Sequence, residues 1–162
     1  MLLVAIMLFA AFTAGGWMYA QKYKKPWRFF KELKELLLFI KGKVSFRKLS
    51  IVDVLDEYVS MKKNSCEWIY LLKDDFNNFF KNRKIEKEIM KNGIKIAESK
   101  EIVSFFQNFG GLDCVRQIEE IEQFICQISL YLDEYERLMK TMYPLVIKIA
   151  VSIGLMAAIV VV

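Results

Sequence analysis

The 162-residue sequence contains no histidine, three cysteines and seven glycines, and these scarcities exclude several kinds of active site. Without histidine the chain lacks the base of Ser-His-Asp and Cys-His sites, imidazole metal ligands and the usual acid or base near neutral pH. No glycine-rich loop is followed by the Lys-Ser or Lys-Thr pair that a phosphate-binding loop requires. We therefore predict a protein with no enzymatic activity and no cofactor.

The three cysteines, Cys66, Cys114 and Cys126, form no Cys-x-x-Cys pair. An odd number without other soft ligands argues against a zinc site and against a complete set of disulfides. We predict reduced thiols on apolar helix faces and no bound metal. Acid-base chemistry would depend on carboxylates such as Asp74 and Asp75, which fit a solvated helix face better.

Apolar residues make up 55% of the chain and charged residues 27%, a combination that one small soluble domain does not show. All the charged residues lie between Lys22 and Lys148, so the first 21 and last 14 positions carry none. The sequence thus divides into apolar, charged and apolar parts. We predict a transmembrane helix over 1–21, a cytoplasmic helical domain over 22–143 and a second transmembrane helix over 144–162.

The first apolar run, 1–21, would be about 31 Å long as a helix, which matches the hydrocarbon core of a bilayer. A cleaved signal peptide is the alternative, but no basic residue precedes the run and no good small-x-small cleavage site follows it. Within the run, Gly15 and Gly16 indicate either the close approach of another helix or a flexible point. The second run, Leu145 to Val162, contains Lys148, whose ammonium group can reach the headgroups.

Basic residues flank both predicted spans on the side of the charged domain. Between residues 22 and 48, ten basic side chains accompany two acidic ones, a net charge of +8, while the rest of the chain sums to −3. By the positive-inside rule, the charged domain is cytoplasmic and both termini lie on the opposite side. This local charge favours anionic lipid headgroups over nucleic acid as a partner, and a topology signal with a solvated face explains it equally well. We name as the basic belt Lys22, Lys24, Lys25, Arg28, Lys31 and Lys34.

Apolar residues in the middle of the chain recur at intervals of three and four, which predicts an all-α fold with a cytoplasmic bundle of about five to six helices. Pro26 suits the first turn of the first of these helices. Asn92 and Gly93 predict a break after a short helix within 81–95. Ser99 is typical of an N-cap and predicts the start of the following helix.

The last predicted cytoplasmic helix begins after Asp113 and carries a long heptad pattern. From Cys114 onward, apolar residues follow alternating spacings of four and three. Such a seam packs either against other helices of its own bundle or against a second copy of the chain. Phe124, Tyr131 and Leu138 widen the stripe and favour packing within the bundle. The heptad seam consists of Ile118, Ile121, Ile125, Ile128, Leu132, Tyr135, Met139 and Met142.

Three stretches are similar to those of a known family: the basic helix after the first span, a turn between two helices, and the segment before the last span. The turn is the most specific, because the family pattern Leu-Gly-x-Ser-Asp-x-x-x-Gln is matched at Gly110, Asp113 and Gln117. Phe109 and Leu112 depart from it. On these residues the chain resembles the stage III sporulation protein AB family. The soluble domain of that family is similar to the cytoplasmic domains of the type II secretion inner-membrane platform protein.

The resemblance implies a membrane protein of endospore-forming bacteria, placed in the mother cell membrane that faces the forespore. It also implies two kinds of partner, a cytoplasmic secretion-class ATPase and other membrane subunits of a secretion-like channel complex. We therefore expect a non-catalytic platform or adaptor protein that couples the ATPase to the channel subunits. The alternative is a membrane-anchored regulatory or lipid-surface protein that dimerises through the heptad seam.

Overall fold

The computed structural model describes residues 2–46, 51–61, 67–78, 84–109 and 114–161, and these residues form six helices and no strand. In chain order the helices are α1 (Leu2–Phe46), α2 (Ile51–Met61), α3 (Glu67–Asn77), α4 (Lys84–Lys91), α5 (Ile96–Asn108) and α6 (Cys114–Val161). The predicted all-α fold is confirmed.

The first and last helices are longer than the sequence predicts, with 45 residues in α1 and 48 in α6. The prediction that Pro26 begins a helix is wrong, because Pro26 lies inside α1, and Pro144 likewise lies inside α6. A proline removes one backbone hydrogen bond but does not by itself end a long helix whose neighbouring turns stay intact. Each predicted span is therefore one end of a longer helix, instead of a separate helix that flanks a bundle.

The chain divides into two compact units. The terminal unit comprises Met1–Arg28 and Leu132–Val162, and the central unit comprises Phe29–Tyr131. Both α1 and α6 contribute residues to each unit, whereas α2, α3, α4 and α5 belong to the central unit alone. The central unit thus contains all the short helices and the inner ends of the two long ones.

All six helices contribute apolar side chains to the core of the central unit. The fully buried ones include Phe30, Leu33, Leu37, Ile40, Leu55, Ile69, Leu72, Ile85, Ile89, Ile102, Phe106, Ile121 and Ile128. Aromatic rings join neighbouring helices, with ring centroids 4.9 Å apart for Phe29 and Trp68 and 6.0 Å apart for Phe76 and Phe106. Each fully buried large apolar side chain contributes about 1.5–3 kcal/mol, so this core is the main source of stability.

The break predicted at Asn92 and Gly93 is confirmed. It follows α4, and Gly93 adopts a positive φ of 80° that other residues rarely tolerate. The N–H of Asn92 bonds to the carbonyl oxygen of Ile89 at 3.1 Å, which closes the last turn of the helix. The side chain of Asn92 donates to the carbonyl oxygen of Glu88 at 2.9 Å. The Asn-Gly pair therefore ends α4 by satisfying carbonyl groups that a helix end leaves free.

The N-cap predicted at Ser99 is wrong. Helix α5 begins at Ile96, and Ser99 is buried in its first turn, where its hydroxyl donates to the carbonyl oxygen of Ile96 at 3.0 Å. The carboxylate of Glu98 accepts a hydrogen bond from the N–H of Lys95 at 3.3 Å. This glutamate satisfies a backbone donor at the helix start, so no serine cap is needed.

Candidate functional site

The apolar ends of α1 and α6 belong to the terminal unit and expose most of their side chains. Each helix contains a window of 18 residues that is long and apolar enough to cross a membrane, and 11% and 6% of the two windows are buried. Strongly exposed apolar side chains include Leu3, Met7, Met18, Leu155, Met156, Ile159 and Val160. A core helix of a soluble protein buries at least one apolar face. Apolar exposure on this scale marks a surface that contacts something other than water.

Small residues bring these two apolar segments into contact within the terminal unit. A β-carbon at Gly16 would lie 2.1 Å from the Cβ of Ala150, so only glycine fits there. A β-carbon at Gly154 would lie 3.1 Å from the ring of Phe9. Gly15, in contrast, has no atom of the described chain within 4 Å of the place where a Cβ would sit. Of the two interpretations of this Gly-Gly pair, close helix approach therefore applies at Gly16.

The residues of the basic belt all lie on α1, four in the terminal unit and two, Lys31 and Lys34, in the central unit. Lys34 is half-buried and the other five side chains are exposed. Lys22, Lys24 and Lys25 form no ion pair with any carboxylate of the described residues. These three cations are therefore available to an anion from outside the chain.

Two tyrosine rings surround the first residue of the basic belt. The Nζ atom of Lys22 lies 3.5 Å from the ring centroid of Tyr19 and 5.0 Å from that of Tyr23. The two rings meet edge to face, with centroids 6.4 Å apart. A cation over tyrosine rings at the end of an apolar helical segment is typical of the boundary between a membrane and water.

The predicted family-motif turn falls largely outside the described residues. Gly110 and Asp113 both lie outside the described residues, so the role of Asp113 as a helix cap stays a prediction. Gln117 lies in the first turn of α6, and its side chain is half-buried.

The heptad seam of α6 faces inward. Ile121 and Ile128 are completely buried within the central unit, and Tyr135 is buried within the terminal unit. The half-buried seam residues are Ile118, Ile125, Leu132, Met139 and Met142. Because the chain's own side chains cover Ile121 and Ile128, the centre of the seam offers little apolar surface to a second copy.

The carboxylate of Glu101 on α5 accepts hydrogen bonds from two polar side chains of α6. The hydroxyl of Tyr131 donates to Oε2 of Glu101 at 2.6 Å, and the amide nitrogen of Gln127 donates to the same oxygen at 2.8 Å. The Gln127 nitrogen also lies 3.3 Å from the Tyr131 oxygen. The hydrogen bond to Glu101 favours the protonated phenol and raises the pKa of Tyr131 above its usual value, and partial burial acts in the same direction.

A polar groove of about 250 Å³ lies between α5 and α6, and we call it the α5–α6 groove. Its apolar lining consists of Phe105 and Phe124, whose rings stack with centroids 4.0 Å apart and planes 9° apart. Its polar lining consists of Ser104, Asn108, Glu120, Gln123 and Gln127. Sequence reasoning missed this groove, because the groove depends on how α5 packs on α6 and no heptad pattern encodes that register.

The solvated helix face that the sequence suggests for Asp74 and Asp75 is wrong for Asp75, whereas the side chain of Asp74 is 42% exposed. Asp75 is fully buried, and its Oδ2 accepts a hydrogen bond from the N–H of Ile85 at 2.6 Å. Its Oδ1 is also buried and has no hydrogen-bond partner among the described residues. Asp74 pairs with Lys84 at 2.5 Å, and this hydrogen bond raises the pKa of Lys84. The two carboxylates therefore anchor the first turn of α4 to α3.

Cys126 is a free, exposed thiol on α6, so the predicted apolar environment is wrong for this cysteine. The side chains of Cys66 and Cys114 lie outside the described residues. Among the side chains that are described, no group of three or more cysteines and carboxylates is placed to hold a metal ion. Cys126 provides a native attachment point for chemical labels on the central unit.

The described residues thus define an all-α protein in which two long helices expose apolar segments at the ends of the chain. A model of the stage III sporulation protein AB family matches residues 1–162. The chain belongs to this family of sporulation proteins, which confirms the resemblance predicted from the sequence. No curated protein and no solved structure matches it. The similarity of its fold to type II secretion platform domains therefore stays a prediction.

Proposed function

We propose that the protein is a non-catalytic membrane platform of a sporulation-associated, type II secretion-like channel complex, in which it couples a cytoplasmic ATPase to the membrane subunits. Membership of the stage III sporulation protein AB family supports the sporulation role. One structural observation carries the proposal: α1 and α6 each continue from an exposed apolar segment into the central unit.

Continuous helices suit a coupling role. No loop separates the apolar segment of α1 or α6 from the part of the same helix that belongs to the central unit. Rigid secondary elements of this kind carry energetic coupling between distant sites. Pro26 and Pro144 each remove one backbone hydrogen bond, which makes them the places where these helices bend most easily. A partner that binds the central unit and subunits that contact the apolar segments would thus bind parts of the same two helices.

The apolar segments also support a two-pass placement in the membrane. Acyl chains would cover the apolar side chains that the terminal unit leaves exposed. The basic belt follows the first segment, and Arg137, Lys140 and Lys148 lead into the second. By the positive-inside rule, the central unit lies in the cytoplasm and both termini lie across the membrane. In a sporulating cell this is the mother cell membrane that faces the forespore.

The basic belt adds a contact with anionic lipid headgroups. Lys24 and Lys25 are exposed and have no carboxylate partner among the described residues. Each cation near an anionic membrane surface contributes about 1 kcal/mol of attraction. Lys22, between the rings of Tyr19 and Tyr23, would hold this part of α1 at the level of the headgroups.

Burial disfavours the alternative of a regulatory or lipid-surface protein that dimerises through the heptad seam. Ile121 and Ile128 lie at the centre of the seam, and both are fully buried by the chain itself. A seam-mediated dimer would require α6 to leave the central unit. Exposing each isoleucine in this way costs about 1.5–3 kcal/mol before any new contact forms.

Recovery of partners from sporulating cells tests the proposed platform role. A tagged full-length chain replaces the native copy, proteins are cross-linked reversibly and extracted in mild detergent, and the recovered proteins are identified by mass spectrometry. We expect a secretion-class ATPase and small membrane proteins, and we expect loss of spore formation in the deletion strain. The same tag on an unrelated two-pass membrane protein reports non-specific recovery. Normal sporulation without the chain, together with recovery of neither kind of partner, would contradict the proposal.

A further inference from the structure

We propose that the α5–α6 groove binds an arginine side chain presented by a segment of a partner protein. The inference deepens the proposed platform function and rests on it for the setting in which a partner protein meets the central unit.

The polar lining of the groove is rich in hydrogen-bond acceptors, and none of the described residues that line it is basic. Glu120 supplies a carboxylate, and Asn108 and Gln123 supply amides. All three side chains are exposed and make no hydrogen bond or ion pair with another described residue. Gln127 donates its amide nitrogen to Glu101, which leaves its amide oxygen as an acceptor. A cation with several donors satisfies such a set better than an anion does.

The apolar lining favours arginine over lysine. Phe105 stacks on Phe124 at the groove and also contacts the rings of Phe106 and Phe109. Phe105 is nevertheless only half-buried, so it contributes apolar aromatic surface to the groove. A guanidinium group is planar and weakly hydrated, and it can lie on an aromatic ring while its five donors reach surrounding acceptors. The ammonium group of lysine is a compact, strongly hydrated charge and gains less from an aromatic surface.

The charges around the groove also favour a cation. Glu119 precedes Glu120 on α6, and both side chains are exposed. Glu101 of α5 bonds to the groove residue Gln127. The basic residue nearest to Glu120 along α6 is Arg116, which is already engaged in another interaction. An incoming arginine therefore meets the carboxylate of Glu120 in a groove whose described lining has no basic residue, and the attraction should weaken as salt is added.

Binding of synthetic peptides to the full chain in detergent micelles tests the site. The probe is a fluorescent alanine-rich helical peptide with one central arginine, followed by fluorescence anisotropy. Matched probes carry lysine or citrulline at the same position, and citrulline keeps the shape of arginine without its charge. We expect the arginine peptide to bind at least about fivefold more tightly than the citrulline peptide and about twofold more tightly than the lysine peptide.

Substitutions at adjacent positions distinguish peptide binding in the groove from attraction to the general surface charge. Glu120→Gln removes the groove carboxylate and should weaken binding of the arginine peptide by about five- to tenfold. Glu119→Gln removes the same charge outside the groove and should weaken binding by less than about twofold. Gln123→Glu adds a second carboxylate to the groove and should tighten binding by about threefold. Circular dichroism of each variant checks that the helices are intact.

Three results would overturn the site: equal binding of the arginine and citrulline peptides, equal losses in Glu119→Gln and Glu120→Gln, or no arginine-peptide binding up to millimolar concentration. Each of these would leave the platform function standing, because recovery of the ATPase does not use the peptides. Normal sporulation without the chain and recovery of neither kind of partner, with peptide binding as expected, would instead overturn the platform function and keep the site.

Discussion

The terminal and central units place the same kinds of apolar side chain in different surroundings. In the central unit, Leu72 and Ile89 are fully buried, whereas Leu155 and Ile159 of the terminal unit are 51% and 74% exposed. Leucine and isoleucine have the same chemistry in both places, so the difference lies in what covers them. A unit that exposes so much apolar surface is stable where its surroundings are themselves apolar. The comparison teaches that the central unit covers its own apolar side chains, whereas the terminal unit holds the two apolar segments that are long enough to cross a membrane and leaves most of their side chains uncovered.

Charge separates the apolar segments of the terminal unit from the rest of the chain. The apolar segments 1–21 and 149–162 carry no charged side chain, while the central unit carries ion pairs between its helices. Lys41 of α1 pairs with Glu122 of α6 at 2.7 Å, and Lys73 of α3 pairs with Asp56 of α2. Exposed pairs of this kind contribute at most about 1 kcal/mol each, so their main effect is to keep the outer surface hydrated.

Replacing a leucine by alanine in each unit should give the largest difference in the free energy of unfolding. Leu72→Ala leaves a cavity in the core of the central unit and should lower the free energy of unfolding by about 2–5 kcal/mol. Leu155→Ala, at a half-exposed position of the terminal unit, should change it by less than about 0.5 kcal/mol. Guanidinium denaturation of the full chain in micelles, followed by circular dichroism, measures both. Equal losses would mean that the two units do not differ as described.

The two neighbouring glycines of the terminal unit, Gly15 and Gly16, should differ by a smaller amount in how strongly substitution by valine destabilises the protein. Gly16→Val places side-chain atoms against Ala150 and should destabilise the contact between α1 and α6 by about 1–3 kcal/mol. Gly15→Val adds the same side chain where no described atom lies within 4 Å, and it should be nearly neutral. Thermal unfolding of both variants in micelles provides the comparison. Equal melting temperatures would show that Gly16 is not a packing contact.

Within the central unit, Asp75 should contribute more to the free energy of unfolding than its neighbour Asp74. Asp75→Ala removes the buried acceptor for the N–H of Ile85 and should cost about 1–2 kcal/mol. Asp75→Asn keeps an oxygen acceptor and should recover part of this loss, while Asp74→Ala should cost about 0.5 kcal/mol or less. Hydrogen exchange at the Ile85 amide is the readout. Unchanged protection in Asp75→Ala would contradict the capping role.

The smallest expected effect concerns the hydrogen bond between Tyr131 and Glu101. Tyr131→Phe removes it and should lower the free energy of unfolding by about 0.5–1.5 kcal/mol. Because folding raises the pKa of Tyr131, its contribution is complete below the ordinary phenol pKa of about 10 and is lost as the pH rises through the higher folded value. The difference between wild type and Tyr131→Phe should therefore be constant from pH 7 to about 9.5 and shrink above about 10. A difference that grows with pH would contradict the assignment.

The sequence predicted those parts of the fold that depend on local pattern. The α4 break at Asn92 and Gly93 follows from turn chemistry that a few residues encode. The all-α class follows from apolar spacing repeated along the chain. Pro26 misled the prediction, because a proline at a helix start and one inside a long helix look alike in sequence, and only the continued hydrogen bonding of the flanking turns separates them.

The parts that the sequence did not predict depend on contacts between helices. Asp75 looks like an ordinary exposed carboxylate until α4 packs on α3 and brings the N–H of Ile85 to it. The α5–α6 groove likewise combines Asn108 of one helix with Glu120 of another. Neither pairing has a fixed spacing along the chain, so no periodic pattern reports it. A local hint of burial at Asp75 is that Leu72, three positions earlier, lies on the same face of α3.

Labelling of the native cysteines tests the central claim most directly, because all three lie in the predicted cytoplasmic domain and Cys126 is an exposed thiol of the central unit. A membrane-impermeant maleimide is applied to protoplasts and to inverted membrane vesicles from cells that express the full chain. We predict labelling in inverted vesicles and none in intact protoplasts. A variant with the three cysteines replaced by serine and with Val162→Cys should give the opposite pattern. Labelling of the native chain in intact protoplasts would contradict the account that the apolar ends of α1 and α6 cross the membrane and leave the central unit in the cytoplasm.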